Sequence, residues 1–168
     1  MQSEATLQAI CFDWGGTLMS EEGPDDLPMA HWPSVRAMDG AIETLEYLHG
    51  RIPLCIATNA SVSTRSMIQL ALSRVALDRY FDHIFCATEL GYRKDHPGFW
   101  DIVESTLGVP LSRIAMIGDS LSQDVFAPKR FGMFSIWFNP NGRHPDPGRE
   151  VRSVTRLSDL VKILSSRI

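Results

Sequence analysis

The sequence predicts an α/β domain, a parallel sheet with right-handed crossovers and helices packed on both faces. Two observations carry this. Short apolar, β-rich runs alternate along the chain with segments of helical periodicity. Polar residues also recur where those runs end, and ligands of open α/β sheets gather at the carboxyl ends of strands. At 168 residues the whole chain, 1–168, reads as one domain with a full hydrophobic core.

The first strand is predicted over residues 8–13, where Ala9-Ile10-Cys11-Phe12 leads to Asp13 and the glycine-rich turn Trp14-Gly15-Gly16-Thr17. A carboxylate beside an apolar strand is costly without a partner, so Asp13 is either the N-cap of the following turn or a catalytic group. Residues 41–49 carry Ile42, Leu45 and Leu48 at helical spacing. Strands follow at 52–58, 83–87, 113–118 and 133–138, with helices at 63–72, 99–107 and 121–131 between them. Pro128 predicts that the helix of 121–131 is kinked or begins late. A last helix spans about 158–164, with Ser158 as its N-cap.

Two segments break the alternation. Residues 19–39 are acidic and proline-bearing (Glu21, Glu22, Pro24, Asp25, Asp26, Pro28, Pro33) and should overhang whatever site Asp13 belongs to. Its acids read individually as solvated, and its Trp32 reads as exposed, hinting at a covered surface and a homo-oligomer. Residues 138–150 hold Asn139-Pro140-Asn141-Gly142 and Pro145-Asp146-Pro147-Gly148, both turn signals. Trp14 reads as packing, and the loop histidines His31 and His96 as surface or capping residues.

The composition, 44% hydrophobic and 21% charged, is that of an ordinary globular protein. A formal net charge of −4 disfavours a non-specific nucleic-acid or anionic-membrane binder. No apolar run reaches the length of a membrane span, and the first residues lack the features of a signal peptide. Cys11, Cys55 and Cys86 each lie in an apolar run without zinc spacing, which predicts reduced core thiols in a cytoplasmic protein.

If all strands run parallel, Asp13, Thr58 and Asp119 end on one edge of one sheet. Asp124 follows five positions after Asp119, and Lys94 lies in the loop after the third strand. Carboxylates around a small oxygen-lined pocket suit Mg²⁺, which binds through one or two of them plus water and substrate phosphate. A carboxylate can also attack phosphorus to form an aspartyl-phosphate. Thr58 and Lys94 would then offer a hydroxyl donor and a cation to phosphoryl oxygens. Mn²⁺ or Co²⁺ would serve the same oxygen ligands in vitro.

In these four stations, in this order, the chain resembles the haloacid dehalogenase-like (HAD) superfamily over nearly its whole length. The Asp13 turn is similar to the family's first motif, Asp-x-Asp-x-Thr. Thr58 after an apolar strand resembles the second, and Lys94 before Pro97 the third. Gly118-Asp119-Ser120 with Asp124 resembles the fourth. The resemblance implies a Rossmann-like three-layer sandwich in which the fourth strand neighbours the first. It implies that Asp13 is nucleophile and metal ligand, that Asp119 is a metal ligand, and that Asp124 is a metal or outer-sphere ligand. The backbone carbonyl of Gly15 would complete the protein's share of a Mg²⁺ shell.

The first motif departs from the family pattern. Where family phosphatases carry a second Asp, which protonates the leaving oxygen and later activates water, this chain has Gly15. Losing a general acid–base group costs about 10²–10⁴-fold, most of all for alkyl phosphates. Glu21, Glu22 and Asp39 are candidate replacements by chain proximity alone. Only about 45 residues separate Asp13 from Thr58, so a capless member is expected, with 19–39 in place of a cap. The sequence thus predicts a Mg²⁺-dependent phosphohydrolase favouring activated esters of a phosphorylated small molecule or macromolecule. The alternative is a catalytically weak phosphate-binding or interaction protein. Dehalogenase and phosphonatase readings are disfavoured by the metal-type acids and by the missing cap.

Overall fold

A computed structural model describes residues 6–168 and arranges them around one six-stranded sheet. In chain order its strands are β1 (Ala9–Phe12), β2 (Leu54–Thr58), β3 (His83–Cys86), β4 (Ile114–Gly118), β5 (Phe134–Phe138) and β6 (Arg152–Val154). They lie in the order β3-β2-β1-β4-β5-β6, and every neighbouring pair is parallel. The chain winds outward from β1 through β2 to β3, then crosses to β4 on the other side. The strand order therefore reverses between β1 and β4, which is where a crevice opens at the carboxyl ends.

β1, β2 and β4 are buried at every residue, which is why they read as continuous apolar runs instead of alternating ones. Their side chains still divide between two faces. Ile10, Phe12, Leu54, Ile56, Ala115 and Ile117 form one core with the apolar sides of α1 (Ala41–Leu48), α2 (Arg65–Ser73) and α6 (Leu160–Leu164). Ala9, Cys11, Cys55, Ala57, Ile114 and Met116 pack on Phe99, Trp100 and Val103 of α4 (Pro97–Leu107). Two short helices, α3 (Ala87–Leu90) and α5 (Ala127–Arg130), complete the three layers. All three cysteines are buried and free, and Cys11 lies opposite Cys55 in the β1–β2 register. Their mutual hydrogen bond, with burial, pushes the Cys11 thiol well up.

β6 was not foreseen. Its only buried residue is Val154, so it carries no apolar run. The segment after β4 does start late as a helix, because Leu121–Phe126 is a π-helical turn and α5 begins only at Ala127, with Pro128 in its first turn. Ser158 does not cap the last helix: it lies inside the 3₁₀ turn Leu157–Asp159, and its side chain makes no capping bond. Trp32, expected at the surface, is 8% exposed and offers no free face to a second subunit. Its indole Nε1 donates to the Leu27 carbonyl at 3.0 Å, and its ring lies flush against Gly23, where a Cβ would approach it to 2.4 Å. Trp14 is packed as expected, and His96 caps α4 by accepting from the Gly98 amide at 3.0 Å. Among the described residues no helix is long and apolar enough to cross a membrane.

Candidate active site

The pairing of β1 with β4 runs one residue past the strand, since the Asp13 amide donates to the Ile117 carbonyl at 2.8 Å. This holds the Asp13 side chain at the crevice, 13% exposed. Asp119 directly follows β4, and Thr17 Oγ1 donates to its Oδ1 at 3.2 Å. The close approach depends on Gly16. Its φ of +74° is a left-handed conformation, and a Cβ there would come within 2.6 Å of Asp119 Oδ2. Trp137 of β5 fixes the other side of Asp119 by donating Nε1 to its carbonyl at 2.9 Å.

Asp124 is brought under the end of β4 by the π-helical turn. Its amide donates to the Ser120 carbonyl at 2.8 Å, and the Ser120 amide donates to its Oδ2 at 3.0 Å. Gly118 leaves the space for this: a Cβ on it would meet Asp124 Oδ2 at 2.2 Å. Thr58, at the end of β2, is buried, and its Oγ1 accepts from the Ala60 amide at 3.0 Å. All six residues that the sequence singles out therefore stand at one sheet edge, with Lys94 at the centre.

Lys94 is 1% exposed. Its Nζ meets three acceptors, one for each ammonium proton: Asp13 Oδ1 at 3.1 Å, Asp124 Oδ1 at 2.6 Å and the Ala57 carbonyl at 3.0 Å. The sequence expectation gave this cation to phosphoryl oxygens, but its donors are already engaged by the protein. Its backbone is held too, because its amide donates to Asn59 Oδ1 at 2.8 Å and its carbonyl accepts from Trp100 Nε1 at 2.7 Å. Asn59 Nδ2 in turn donates to Gln123 Oε1 at 2.9 Å, joining the loops after β2, β3 and β4. Sequence reasoning gave no role to Thr17, although it closes the first motif, and none to Asn59 and Gln123, whose adjacency to Thr58 and Asp124 was the available signal.

Electrostatics leave the cluster short of positive charge. Burial pushes Asp13 up to about 6, with Lys94 pulling down and Asp119 pushing further up. Burial likewise takes Asp124 to about 6, against the pull of Lys94 and with the push of Asp13. Asp119 is raised by burial and by Asp124. Burial acts to lower Lys94, but Asp13 and Asp124 outweigh it, so the ammonium stays charged. One ammonium thus faces three carboxylates whose oxygens lie within 4.8 Å of one another. A hard divalent cation with oxygen ligands fits this donor set and charge.

The segment 19–39 closes over this edge. Its two ends pair with each other, the Ser20 amide donating to the Arg36 carbonyl at 2.9 Å and the Met38 amide to the Leu18 carbonyl at 2.8 Å. Arg74 of α2 fastens its middle by donating to the carbonyls of Ala30 (3.2 Å), Trp32 (2.7 Å) and Pro33 (3.2 Å). A cavity of about 520 Å³ lies between it and the sheet edge, lined by Asp13, Gly15 and Thr58 below and by Glu21, Leu27 and Trp32 above. Of the three acids considered as replacements, Glu22 and Asp39 turn away to Arg36, at 3.5 Å and 4.0 Å, and both are solvated. Glu21 is also exposed as a residue, but its carboxylate lies against Gly15 at the cavity, and partial burial with the nearby Asp25 raises it.

A family model for haloacid dehalogenase-like hydrolases matches residues 32–132. The chain belongs to the haloacid dehalogenase-like hydrolases. Within this family it is similar to the pyrimidine 5'-nucleotidase YjjG of Escherichia coli (strain K12), 27% identical over 129 residues, which are 76% of this chain and 56% of YjjG. The chain spans about half the length of the curated relatives it matches. Among solved structures, a HAD phosphatase from Thermococcus onnurineus superposes with a TM-score of 0.77 at 25% identity, covering 96% of this chain and 100% of that one. An uncharacterized protein from Listeria monocytogenes serotype 4b superposes with a TM-score of 0.80 at 24% identity, covering 95% and 98%, and shares the fold. The parallel sheet with β4 beside β1 is thus the HAD-like architecture that the sequence predicted.

Proposed function

We propose that this HAD-like hydrolase is a Mg²⁺-dependent phosphohydrolase that works through an aspartyl-phosphate on Asp13. One observation carries the reading: Asp13, Asp119 and Asp124 converge within 4.8 Å beside a cavity that Asp13 lines, with a buried ammonium shared by Asp13 and Asp124. Asp13, Asp119, Asp124 and the Gly15 carbonyl would hold the metal, Asp124 directly or through water. When bound, Mg²⁺ supplies charge neutralisation to the phosphoryl oxygens. The similarity to a nucleotidase and to a HAD phosphatase supports phosphorus over carbon as the atom attacked.

In this reading Asp13 attacks phosphorus, its bond to phosphorus forms, and the bond from phosphorus to the leaving oxygen breaks. Water then attacks phosphorus, the bond to Asp13 breaks, and inorganic phosphate departs. Thr58 offers its hydroxyl to a phosphoryl oxygen. Lys94 acts on the nucleophile, keeping Asp13 ionised and aimed. The segment 19–39 serves in place of a cap within a single domain, and the cavity beneath it admits a phosphorylated small molecule or the phosphorylated end of a larger one. Acyl and aryl phosphates are the fastest substrates, since their leaving groups need the least help from a proton.

The test is phosphate release from an acyl, an aryl and an alkyl phosphate, with Mg²⁺ or chelator, for wild type and Asp13→Asn. The expected result is release that requires both Mg²⁺ and Asp13. Release indifferent to Asp13→Asn overturns the nucleophile assignment. Phosphate binding without any release supports instead the binding-module reading that Gly15 favours.

A further inference from the structure

The missing acid of the first motif leaves a question of space. The volume that a side chain at position 15 would take holds a carboxylate. A Cβ built on Gly15 would stand 2.4 Å from Glu21 Oε1, 3.1 Å from its Cδ and 3.3 Å from its Cγ. The backbone does not require glycine here, since Gly15 is absent from the positive-φ positions, in contrast to Gly16. The three atoms nearest to a Cβ at 15 all belong to the Glu21 side chain, whose end would have to swing away to admit one.

Resting on the phosphohydrolase reading above, we infer that Glu21 is the general acid–base of this enzyme, reaching from the overhanging segment into the volume that an acid at position 15 would occupy. Three further observations support the geometry. Glu21 lines the same cavity as Asp13, Gly15 and Thr58. Its backbone is fixed at the foot of the segment, with the Ser20 amide on the Arg36 carbonyl just before it and a tight turn after it, the Gly23 amide donating to the Glu21 carbonyl at 3.0 Å. Among the described residues no basic side chain pairs with its carboxylate, whereas Glu22 and Asp39 both engage Arg36.

The proton inventory balances. As Asp13 attacks, the protonated Glu21 gives its proton to the leaving oxygen while the bond from that oxygen to phosphorus breaks, and an alcohol departs. The Glu21 carboxylate then takes a proton from the water that attacks the aspartyl-phosphate. Phosphate leaves, and both Asp13 and Glu21 are restored. Alkyl phosphates therefore become substrates despite Gly15, and the burden on Glu21 grows with the basicity of the leaving group.

The experiment compares kcat/KM for the acyl, aryl and alkyl phosphates in wild type, Glu21→Gln, Glu21→Ala and the double variant Glu21→Ala/Gly15→Asp, with Asp13→Asn as control and melting curves to verify folding. Glu21→Gln is expected to lose about 10²-fold or more on the alkyl ester and less than about 10-fold on the acyl phosphate. In the double variant the obstructing side chain is gone and the backbone at 15 accepts an aspartate. It is expected to recover at least about 10-fold on the alkyl ester relative to Glu21→Ala. An equal loss on all three substrates, or none, overturns the assignment while the Asp13 control keeps the phosphatase reading intact. Failure of that control, or no release by wild type, overturns both.

Discussion

Lys94→Met is the most informative single change, because it removes a charge and little volume from the centre of the cluster. In metal-free protein the variant leaves Asp13 and Asp124 buried without their shared ammonium, together with an unanswered Ala57 carbonyl. Breaking a buried pair on one side costs about 3–5 kcal/mol. For a chain of this size each kcal/mol moves Tm by about 2–4 °C, so the midpoint near pH 7.5 should fall by roughly 6–20 °C. The same argument fixes the response to Mg²⁺. A divalent cation competes with the ammonium for the same carboxylates, so its affinity should be higher in the variant. Each tenfold gain in affinity adds about 1.4 kcal/mol of stabilisation at saturation. Thermal melts of both proteins with chelator and with excess Mg²⁺ provide the four numbers needed. A variant that loses less than about 1 kcal/mol, or that gains no more from Mg²⁺ than wild type does, would refute the claim that Lys94 neutralises this cluster. Phosphate release should fall at least about 10²-fold in either case, because the nucleophile loses its aim.

Three other outcomes are expected. Without metal, stability should rise as the pH is lowered from about 7 toward 5: Asp13 and Asp124 sit near 6 when folded, above their ordinary value of 3.8, so the folded state binds protons more tightly. That contribution is complete below the unfolded value and is lost as pH rises through about 6, and urea melts in chelator at the two pH values measure it, a fall in stability being the contrary result. Gly118→Ala should cost about 1–3 kcal/mol and weaken Mg²⁺ binding, since its Cβ would press on Asp124 Oδ2, Cγ and Cβ at 2.2, 2.3 and 2.7 Å. Unchanged Mg²⁺ titration would contradict it. Arg74→Ala removes three hydrogen bonds from the covering segment, a local loss of about 2 kcal/mol or more, and should speed exchange of the His31 and Trp32 amides about 30-fold while α1 keeps its protection.

The five longer strands were legible because a parallel sheet covered on both faces makes continuous apolar runs of them, and each lies within two residues of its expected place. β6 offered no such run: Arg152 and Ser153 are exposed, and only its pairing with β5 makes it a strand. The convergence of Asp13, Thr58, Asp119, Asp124 and Lys94 was legible for a related reason, since strand ends on one edge need only a parallel sheet to meet. What the ammonium of Lys94 touches was not legible, because the Ala57 carbonyl and the π-turn that delivers Asp124 exist only in the folded chain. The acidic, proline-bearing composition of 19–39 hid Trp32, whose burial depends on Gly23 nearby and Arg74 far away in sequence. Chain proximity offered three acids around Gly15, and only the folded chain separates Glu21, set against that glycine, from Glu22 and Asp39, which pair with Arg36.

The antiparallel bridge between Met19 and Ala37 ties the first turn to the end of the overhanging segment, and the Met19 carbonyl accepts from the Gly16 amide of the Asp13 turn at 2.8 Å. Both feet of the segment are thereby pinned independently of what lies between them. Chain closure between fixed feet costs only about 0.6 kcal/mol for each doubling of length, so the stretch behaves as a cassette. On the proposed reading, the stretch between Glu21 and Arg36 can be lengthened or exchanged to retune which leaving groups are admitted, while Glu21 at the first foot and the acids on the sheet edge keep their positions. Within some twenty-five residues of sequence the protein thus keeps an anchored pair of ends apart from a replaceable middle.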